Sequence, residues 1–406
     1  MEFADRLALP EILVGRRTRG FLWPGPPVPG ERFASGRHSL FDGSFTWPVM
    51  VAKRTALDHN VGTLAAFAER HGLALAPHGK TTMAPALFQA QLDAGAWGIS
   101  AASAAQVLVH RSAGVPRVLL ANEILDAAAL RWLAGEIEHF EFLCFVDSLE
   151  GVRALSEAAG AVPFRVLAEL GHVGGRTGCR GLAELMEVAA AARDAEGVEL
   201  AGVACYEGTR EGAEEVRAFL RDLRDAAEAV APHVPGRLVV SAGGSAWFDL
   251  VAEELGPLTG ELGALVILRS GAYIAHDDGF YRERTPWNRL PGEGLRPALE
   301  VWAQVLSVPE PGLALVGMGK RDVPYDIDLP TVRAVRRGPA EAAVPLGGVT
   351  VTRVQDQHAY LTGEGLRPGD LVSFGISHPC TAFDKWRVIP VVDDDYVVVD
   401  LIDTCF

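Results

Sequence analysis

The sequence lacks the features that would place the protein in a membrane, outside the cell or on nucleic acid. Its longest apolar runs extend over about ten residues, which is too short for a helix to cross a bilayer. The segment from Met1 to Arg19 carries charges throughout and has no apolar centre of a signal peptide. The 37 basic and 52 acidic side chains give a net charge of −15 at pH 7, so the basic surface that binds DNA or anionic lipid is not expected. We therefore predict a cytoplasmic protein that binds neither nucleic acid nor membrane.

Cysteine is also scarce. The chain has five cysteines, an odd number, and no C-x-x-C pair, whereas secreted disulfide frameworks use even sets. A reducing compartment is expected for this reason. The apolar fraction of 49% and the charged fraction of 22% are ordinary for globular proteins and exclude intrinsic disorder. A length of 406 residues suggests two domains, or one large domain with an addition.

The middle of the chain alternates between short apolar runs and Ala- and Leu-rich segments of helical period, which predict strands and helices in turn. The predicted strands are 73–77, 98–102, 117–121, 142–146, 164–170, 200–206, 238–241 and 264–268. Such alternation is typical of right-handed βαβ units in a parallel sheet. Eight repeats over about 220 residues match the size of a TIM-type (β/α)8 barrel. A doubly wound open sheet is the competing arrangement.

Both ends of the chain differ from this middle. Residues 1–50 are rich in Pro and Gly and predict an extended lead that packs with the last domain. After Gly271 the helical periodicity fades, and short β-like runs are separated by Gly and Pro. We therefore predict an α/β barrel over 51–285, followed by a mostly β domain of ordinary size over 286–406.

One lysine stands at an unusual place. In Pro77-His78-Gly79-Lys80-Thr81, the lysine closes the first predicted barrel strand, and barrel active sites lie at such C-terminal strand ends. A lysine that is partly removed from water has a lowered pKa and can form a Schiff base. From position alone, a surface-loop lysine explains Lys80 equally well.

Two glycine-rich turns follow the seventh and eighth predicted strands. They are Ser241-Ala242-Gly243-Gly244-Ser245 and Ser270-Gly271-Ala272-Tyr273. The loops after these two barrel strands often bind phosphate through backbone N–H groups, and glycine lets the backbone approach an anion closely. Each turn alone is a weak signal, but together they favour a phosphate site. A lysine and a phosphate site at one barrel mouth suggest pyridoxal 5′-phosphate (PLP).

With these motifs the chain resembles the D-serine dehydratase and D-threonine aldolase family of PLP enzymes, which has the alanine racemase-like fold (PLP fold type III). The likeness runs from about Pro77 to the C-terminus, and the family's P-H-x-K-T motif is Pro77-His78-Gly79-Lys80-Thr81. The resemblance implies that Lys80 is the Schiff-base lysine, that His78 contacts the cofactor, and that both glycine turns bind its phosphate. The cofactor-binding residues implied in these turns are Ser241, Gly243, Gly244, Ser245, Gly271 and Tyr273.

Two further segments carry the resemblance. The stretch from Glu169 to Gly178 resembles the segment whose arginine contacts the phenolate oxygen of the cofactor, which implies this role for Arg176. A fixed cation is also chemically suited to an oxyanion. The run Val203-Ala204-Cys205-Tyr206-Glu207-Gly208 resembles the family's Y-E-G strand end and implies that Tyr206 lies against the pyridine ring. A core aromatic residue is the alternative for Tyr206.

The last domain contains a possible metal site in Ser377-His378-Pro379-Cys380. An imidazole and a thiolate two residues apart can bind one Zn²⁺, although chance pairs of this kind are common. In the family this position carries the metal pair, which is His and Cys in dehydratase-like members and His and Asp in aldolase-like members. The resemblance therefore implies that His378 and Cys380 bind zinc, or another divalent metal, and that the reaction is a dehydration.

Two other residues are candidates for the substrate site. His358, in Gln357-His358, resembles the histidine of the family's E-H pair, but Gln replaces the acid; a simple hydrogen-bonded histidine is the alternative. Asp278 belongs to the second glycine-turn segment. The polar stretch 319–328 predicts a solvent-exposed loop, or a loop that reaches the barrel mouth.

The resemblance implies a homodimeric PLP-dependent lyase that converts small D-3-hydroxy amino acids, such as D-serine, to a 2-oxo acid and ammonia. Retro-aldol cleavage to glycine and an aldehyde is one alternative. Racemisation is another, but it needs a second base, for which the sequence offers no candidate. A non-catalytic PLP carrier and a cofactor-free Schiff-base aldolase are the remaining alternatives; known single-barrel PLP carriers lack the β domain.

Overall fold

A computed structural model describes residues 6–338 and 341–406. The strands are β1 (Leu13–Val14), β2 (Val28–Pro29), β3 (Val49–Lys53), β4 (Ala74–Leu75), β5 (Ile99–Ala101), β6 (Arg117–Leu120), β7 (Glu141–Val146), β8 (Phe164–Leu170), β9 (Val198–Cys205), β10 (Val239–Ala242), β11 (Leu265–Leu268), β12 (Leu299–Glu310), β13 (Leu313–Val316), β14 (Thr331–Arg336), β15 (Val344–Pro345), β16 (Thr350–Val354), β17 (Ala359–Thr362), β18 (Leu371–Gly375), β19 (Val388–Val392) and β20 (Val398–Asp403).

The helices are α1 (Gly30–Ser35), α2 (Arg54–Arg70), α3 (Pro85–Asp93), α4 (Ala104–Ala113), α5 (Ala127–Glu136), α6 (Leu149–Ala158), α7 (Leu182–Asp194), α8 (Ala213–Val230), α9 (Phe248–Leu255), α10 (Leu258–Glu261), α11 (Phe280–Arg284) and α12 (Cys380–Phe383). Within the described residues, none of these helices combines the length and the apolar character that crossing a bilayer requires.

Strands β4 to β11 form one parallel sheet in the order β4-β11-β10-β9-β8-β7-β6-β5. A bridge between His78 and Ser100 joins the two end strands, so the sheet is a nearly closed eight-stranded barrel. The predicted (β/α)8 barrel is thereby confirmed. The open doubly wound sheet is excluded, because the end strands of an open sheet do not meet.

The barrel forms because its strands are apolar on both faces, as parallel strands covered by helices must be. Side chains such as Leu119, Phe145 and Ile267 fill the interior, while the alternate residues pack under the helices. The helices begin and end at residues suited to those positions. Asp126 accepts a hydrogen bond of 2.7 Å from the N–H of Ala129 at the start of α5, as an N-cap does.

The C-terminal domain is built on the long strand β12, which pairs antiparallel with β18, β13 and β3. The sheet runs in the order β15-β14-β18-β12-β13-β17-β16, and β3 also pairs with β19. The chain before the barrel therefore supplies a strand to this domain. Phe21, Phe33 and Phe45 of the N-terminal lead pack in one cluster with Trp302 of β12. The mostly β character predicted for the C-terminal domain is confirmed.

The two domains meet at the C-terminal mouth of the barrel. The N–H of Asp278, after the last barrel strand, donates to the carbonyl of Ile376 at 2.9 Å. Thr81 Oγ1 lies 3.4 Å from Cys380 Sγ. The turn that follows β4 and the loop that follows β18 are thus brought into direct contact.

Candidate active site

A cavity of about 480 Å³ opens at this junction. Nine of the residues predicted from the sequence line it: His78, Lys80, Arg176, Tyr206, Gly244, Ser245, Gly271, His378 and Cys380. The first seven come from the barrel and the last two from the β domain. The barrel residues share this site because parallel strands end on a common face, whereas His378 and Cys380 reach it because the β domain docks on that face.

Lys80 lies in the single 3₁₀ turn Gly79–Thr81 that follows β4. Burial of its amine lowers the pKa of Lys80 below the ordinary lysine value. Arg176 and Arg269 lower it further, while Cys380 opposes them. A larger neutral fraction makes the amine a better nucleophile and base at neutral pH.

His78 lines the same cavity as Lys80. Burial and the charge of Lys80 hold the pKa of the His78 imidazole well below its ordinary value, so the ring is neutral. Its Nδ1 is buried and has no hydrogen-bond partner among the described residues. A Cβ added at Gly271 would lie 2.8 Å from His78 Cβ and from Thr81 Oγ1, so only glycine allows β4 and the turn after β11 to approach this closely.

Arg269 is a site residue that the sequence analysis missed. It follows β11 and is buried; its guanidinium donates to Ser241 Oγ at 2.7 Å and to the carbonyl of Cys205 at 2.6 Å. Burial lowers the pKa of Arg269, and Glu207 opposes this shift. Ser241 is thus turned toward Arg269 inside the barrel and does not line the cavity. A charged residue directly after a buried strand was the available signal.

Tyr206 and Glu207 organise the opposite side of the barrel mouth. The guanidinium of Arg176 lies 4.6 Å from the centre of the Tyr206 ring, and burial raises the pKa of Tyr206, so its phenol keeps its proton. The Glu207 carboxylate accepts the N–H groups of Gly243 at 3.1 Å and Gly244 at 2.6 Å. Two amides of the predicted phosphate turn are therefore engaged within the protein, and Gly243 does not line the cavity.

The His378–Cys380 pair faces this barrel wall from the loop after β18. Nδ1 of His378 lies 2.5 Å from Oδ2 of Asp326, whose other oxygen accepts a hydrogen bond from Thr381. Contact with Cys380, together with Asp326, raises the pKa of His378 to about 9 against the effect of burial. Asp326 belongs to the polar stretch 319–328, so this loop does reach the barrel mouth.

A second carboxylate fixes the backbone of the same loop. Asp277 is buried, and its Oδ2 accepts the N–H of His378 at 2.9 Å. Its Oδ1 accepts the N–H groups of Gly279, Tyr281 and Arg282 at 2.9–3.2 Å. One side chain from the barrel thus holds both the segment after β11 and the loop after β18, in which His378 has a φ of 68°.

Besides Ser241 and Gly243, three further predicted residues lie away from the cavity. Tyr273 is buried, and its hydroxyl accepts a hydrogen bond of 3.1 Å from Gln91. Asp278 is buried between the domains 3.4 Å from Arg333, and burial raises its pKa to about 6. His358 is exposed on the loop between β16 and β17. A substrate-site role for His358 or Asp278 stays a prediction.

The residues present fit the two groups that the resemblance implies. Lys80, Arg176 and Arg269 supply three cationic groups around the cavity, as an anionic cofactor requires, and the ring of His78 lines the same cavity. For a metal, Asp326 engages Nδ1 of His378, so Nε2 is the ring nitrogen that could bind the ion together with the sulfur of Cys380. A nitrogen and a sulfur donor, with a carboxylate fixing the imidazole, are typical of zinc sites.

Comparison with known proteins agrees with this arrangement. The model of the alanine racemase N-terminal domain matches residues 53–254, and the model described as Putative serine dehydratase domain matches residues 298–392. A D-threonine aldolase from Arthrobacter sp. is 28% identical over 366 residues, which are 87% of each chain.

Solved structures share the fold. D-threonine aldolase from Filomicrobium marinum superposes with a TM-score of 0.75 at 24% identity, over 89% of this chain and 95% of that one. A histidine-to-alanine variant of D-threo-3-hydroxyaspartate dehydratase superposes with a TM-score of 0.72 at 18% identity, over 92% of this chain and 98% of that one. A cysteine-to-alanine variant of the same dehydratase, in the metal-free form, superposes with a TM-score of 0.71 at 19% identity, over 91% of this chain and 99% of that one. The chain therefore belongs to the D-serine dehydratase and D-threonine aldolase-like family, which joins an alanine racemase-type barrel to a serine dehydratase domain.

Proposed function

We propose that the protein is a PLP-dependent, metal-assisted dehydratase that converts a D-3-hydroxy amino acid, with D-serine as the simplest substrate, to a 2-oxo acid and ammonia. The observation that carries this proposal is that Lys80 and the His378–Cys380 pair line one cavity. Elimination of water needs a base at Cα and a group that assists departure of the β-hydroxyl. The two walls of the cavity offer one of each.

The barrel wall would hold the cofactor and move the Cα proton. Lys80 would attach PLP covalently, and Arg176 and Arg269 would balance its negative charge. When bound, PLP supplies an electron sink for the carbanion at Cα. The lowered pKa of Lys80 would increase the fraction of its amine that is neutral and able to accept the Cα proton once the substrate has displaced it. Tyr206 keeps its phenolic proton and can donate one hydrogen bond to a ring acceptor.

The β-domain wall would hold the metal and the leaving hydroxyl. His378 and Cys380 would bind a divalent cation, and Asp326 would orient the imidazole. Such a cation supplies Lewis acidity, which helps because hydroxide is a poor leaving group. The histidine and cysteine replaced in the two D-threo-3-hydroxyaspartate dehydratase variants are two positions apart, as His378 and Cys380 are. This shared spacing supports dehydration.

Retro-aldol cleavage is the second candidate function. The D-threonine aldolase relative, 28% identical over most of the chain, favours it. Cleavage would need the same lysine and the same metal pair, but would remove the proton of the hydroxyl instead of the hydroxyl itself. The cavity geometry is compatible with both reactions, so the products must discriminate between them.

The test is an assay of products with D- and L-serine, D- and L-threonine and D-threo-3-hydroxyaspartate, before and after treatment with a chelator. Dehydration predicts equal amounts of 2-oxo acid and ammonia from D-isomers, lost with the chelator and restored by Zn²⁺. Glycine and an aldehyde as the products would establish the aldolase instead. Interconversion of the isomers, or turnover that a chelator leaves unchanged, would overturn the proposal.

A further inference from the structure

Three carboxylates converge beside the cavity on neighbouring barrel strands. Glu123 and Asp147 follow β6 and β7, and Glu169 is the last residue but one of β8. One oxygen of each lies within 4.8 Å of the others. The parallel register of β6, β7 and β8 brings these strand ends together. None of the three side chains lines the cavity that holds Lys80.

The oxygens of this group lack hydrogen-bond donors. Glu169 is only 2% exposed, and its buried Oε2 has no partner among the described residues; both oxygens of Glu123 are in the same condition. Asp147 accepts one hydrogen bond, from the N–H of Gly178 at 2.9 Å. Buried carboxylates without donors are strongly unfavourable unless a cation or a proton neutralises them.

The surroundings of Glu123 point in the same direction. Burial, a hydrogen bond that protonated Glu123 shares with Glu169, and repulsion by Glu169 and Asp147 together raise the pKa of Glu123 to about 8. No cationic side chain is among these main influences on it. At neutral pH the group therefore needs either a proton on Glu123 or a bound cation, because three ionised carboxylates this close together repel one another.

We propose that Glu123, Asp147 and Glu169 bind a hard divalent cation, such as Mn²⁺ or Mg²⁺, at a site separate from the His378–Cys380 pair. The donors are all carboxylate oxygens, which suit these ions, whereas the nitrogen and sulfur pair suits zinc. Gly178 belongs to the loop that carries Arg176, and the N–H of Gly178 donates its hydrogen bond to Asp147. A cation here would therefore also fix the part of that loop that follows Arg176. The site does not rest on the proposed function, because binding is measured without turnover.

The test counts Mn²⁺ sites by the loss of the free-ion electron paramagnetic resonance signal in PLP-loaded protein stripped with a chelator. The double variant His378→Ala, Cys380→Ala is expected to keep one site per chain. Adding Glu123→Gln and Glu169→Gln to it should weaken that remaining site at least tenfold. Glu199→Gln, at the other end of the barrel in an ion pair with Arg165, is the matched control and should leave the site unchanged.

The decisive result does not require the Glu variants to fold. If the His378→Ala, Cys380→Ala protein binds no Mn²⁺ while its Glu residues are intact, the proposal is overturned. A protonated carboxylic acid detected in that protein by infrared spectroscopy, unchanged by added Mn²⁺, would show that a proton neutralises the group and would also reject the cation. An Mn²⁺-dependent rise in melting temperature, absent from the Glu123→Gln, Glu169→Gln form, would support it independently.

Discussion

The two walls of the cavity are held in place by different means. On the barrel wall, Tyr206 directly follows β9, and Lys80 lies in the 3₁₀ turn Gly79–Thr81, next to the bridge between His78 and Ser100. On the β-domain wall, His378 lies in a loop and is held by two carboxylates distant in the chain, Asp277 and Asp326. The positions of the side chains on the barrel wall are thus set by the sheet, whereas the position of His378 and Cys380 depends on a few long-range contacts. Substitutions should therefore separate attachment of the cofactor from binding of the metal.

The largest effect is expected on the barrel wall. Lys80→Ala should lower turnover by about 10⁴-fold or more, because it removes both the covalent attachment and the base. Borohydride trapping followed by peptide mapping should find PLP on Lys80 of the parent protein and on no peptide of the variant. Lys320→Ala, in the 319–328 loop, is the control and should still be labelled at Lys80. Label on another lysine of the parent would remove the basis of the proposed function.

The next largest effect concerns the other wall. His378→Ala with Cys380→Ala should lower dehydration by about 10³-fold, because Lewis acidity contributes several kcal/mol to departure of hydroxide. Trapping of PLP on Lys80 should be unchanged, since that lysine belongs to the barrel. Metal content, product formation and trapping are measured on the same preparation. Full activity in this double variant would reject the metal pair.

The same contrast explains what the sequence could predict. The eight barrel strands are predictable because each is a short apolar run with a helical segment after it, and the residues at their ends are placed by the sheet alone. Strand β14 (Thr331–Arg336) is hard to predict, because its apolar residues alternate with arginine and most of them are only half buried. Arg269 directly follows the buried strand β11, but a single arginine at that place is a weaker signal than the glycine-rich turn after it.

The supports of the metal pair could not be predicted in this way. Asp277 and Asp326 contact His378 across 101 and 52 residues of sequence, and no local pattern specifies such pairs. Both lie in polar stretches that resemble ordinary loops. Only the docking of the β domain on the barrel brings them to the histidine, so their roles follow from the tertiary structure.

Asp277 gives a prediction of intermediate size that tests this dependence. Asp277→Asn places an amide among four N–H donors, so we expect about 1–3 kcal/mol lower stability and a tenfold to hundredfold weaker metal affinity. Trapping of PLP on Lys80 should be retained. Zn²⁺ titration of the stripped protein and chemical denaturation measure the two effects. Asp328→Asn is the matched control, because Asp328 accepts a hydrogen bond from Ser377 and not from His378. Equal losses of affinity in both variants would contradict the role of Asp277.

The smallest effect is a pH dependence of stability on the barrel side. His110 is fully buried beneath the lysine turn, and burial lowers its pKa to about 3, against about 6.5 in an unfolded chain. The unfolded state therefore takes up a proton first, so stability is complete above pH 6.5 and falls as the pH drops toward 3. The loss between pH 8 and pH 5 should be about 2 kcal/mol from this residue. The His110→Leu variant lacks this proton uptake. Between pH 8 and pH 5, its free energy of unfolding should therefore fall by about 2 kcal/mol less than that of the parent protein. The exposed His139→Leu variant should keep the parent slope, and an unchanged slope in His110→Leu would show that the histidine is already charged in the folded protein.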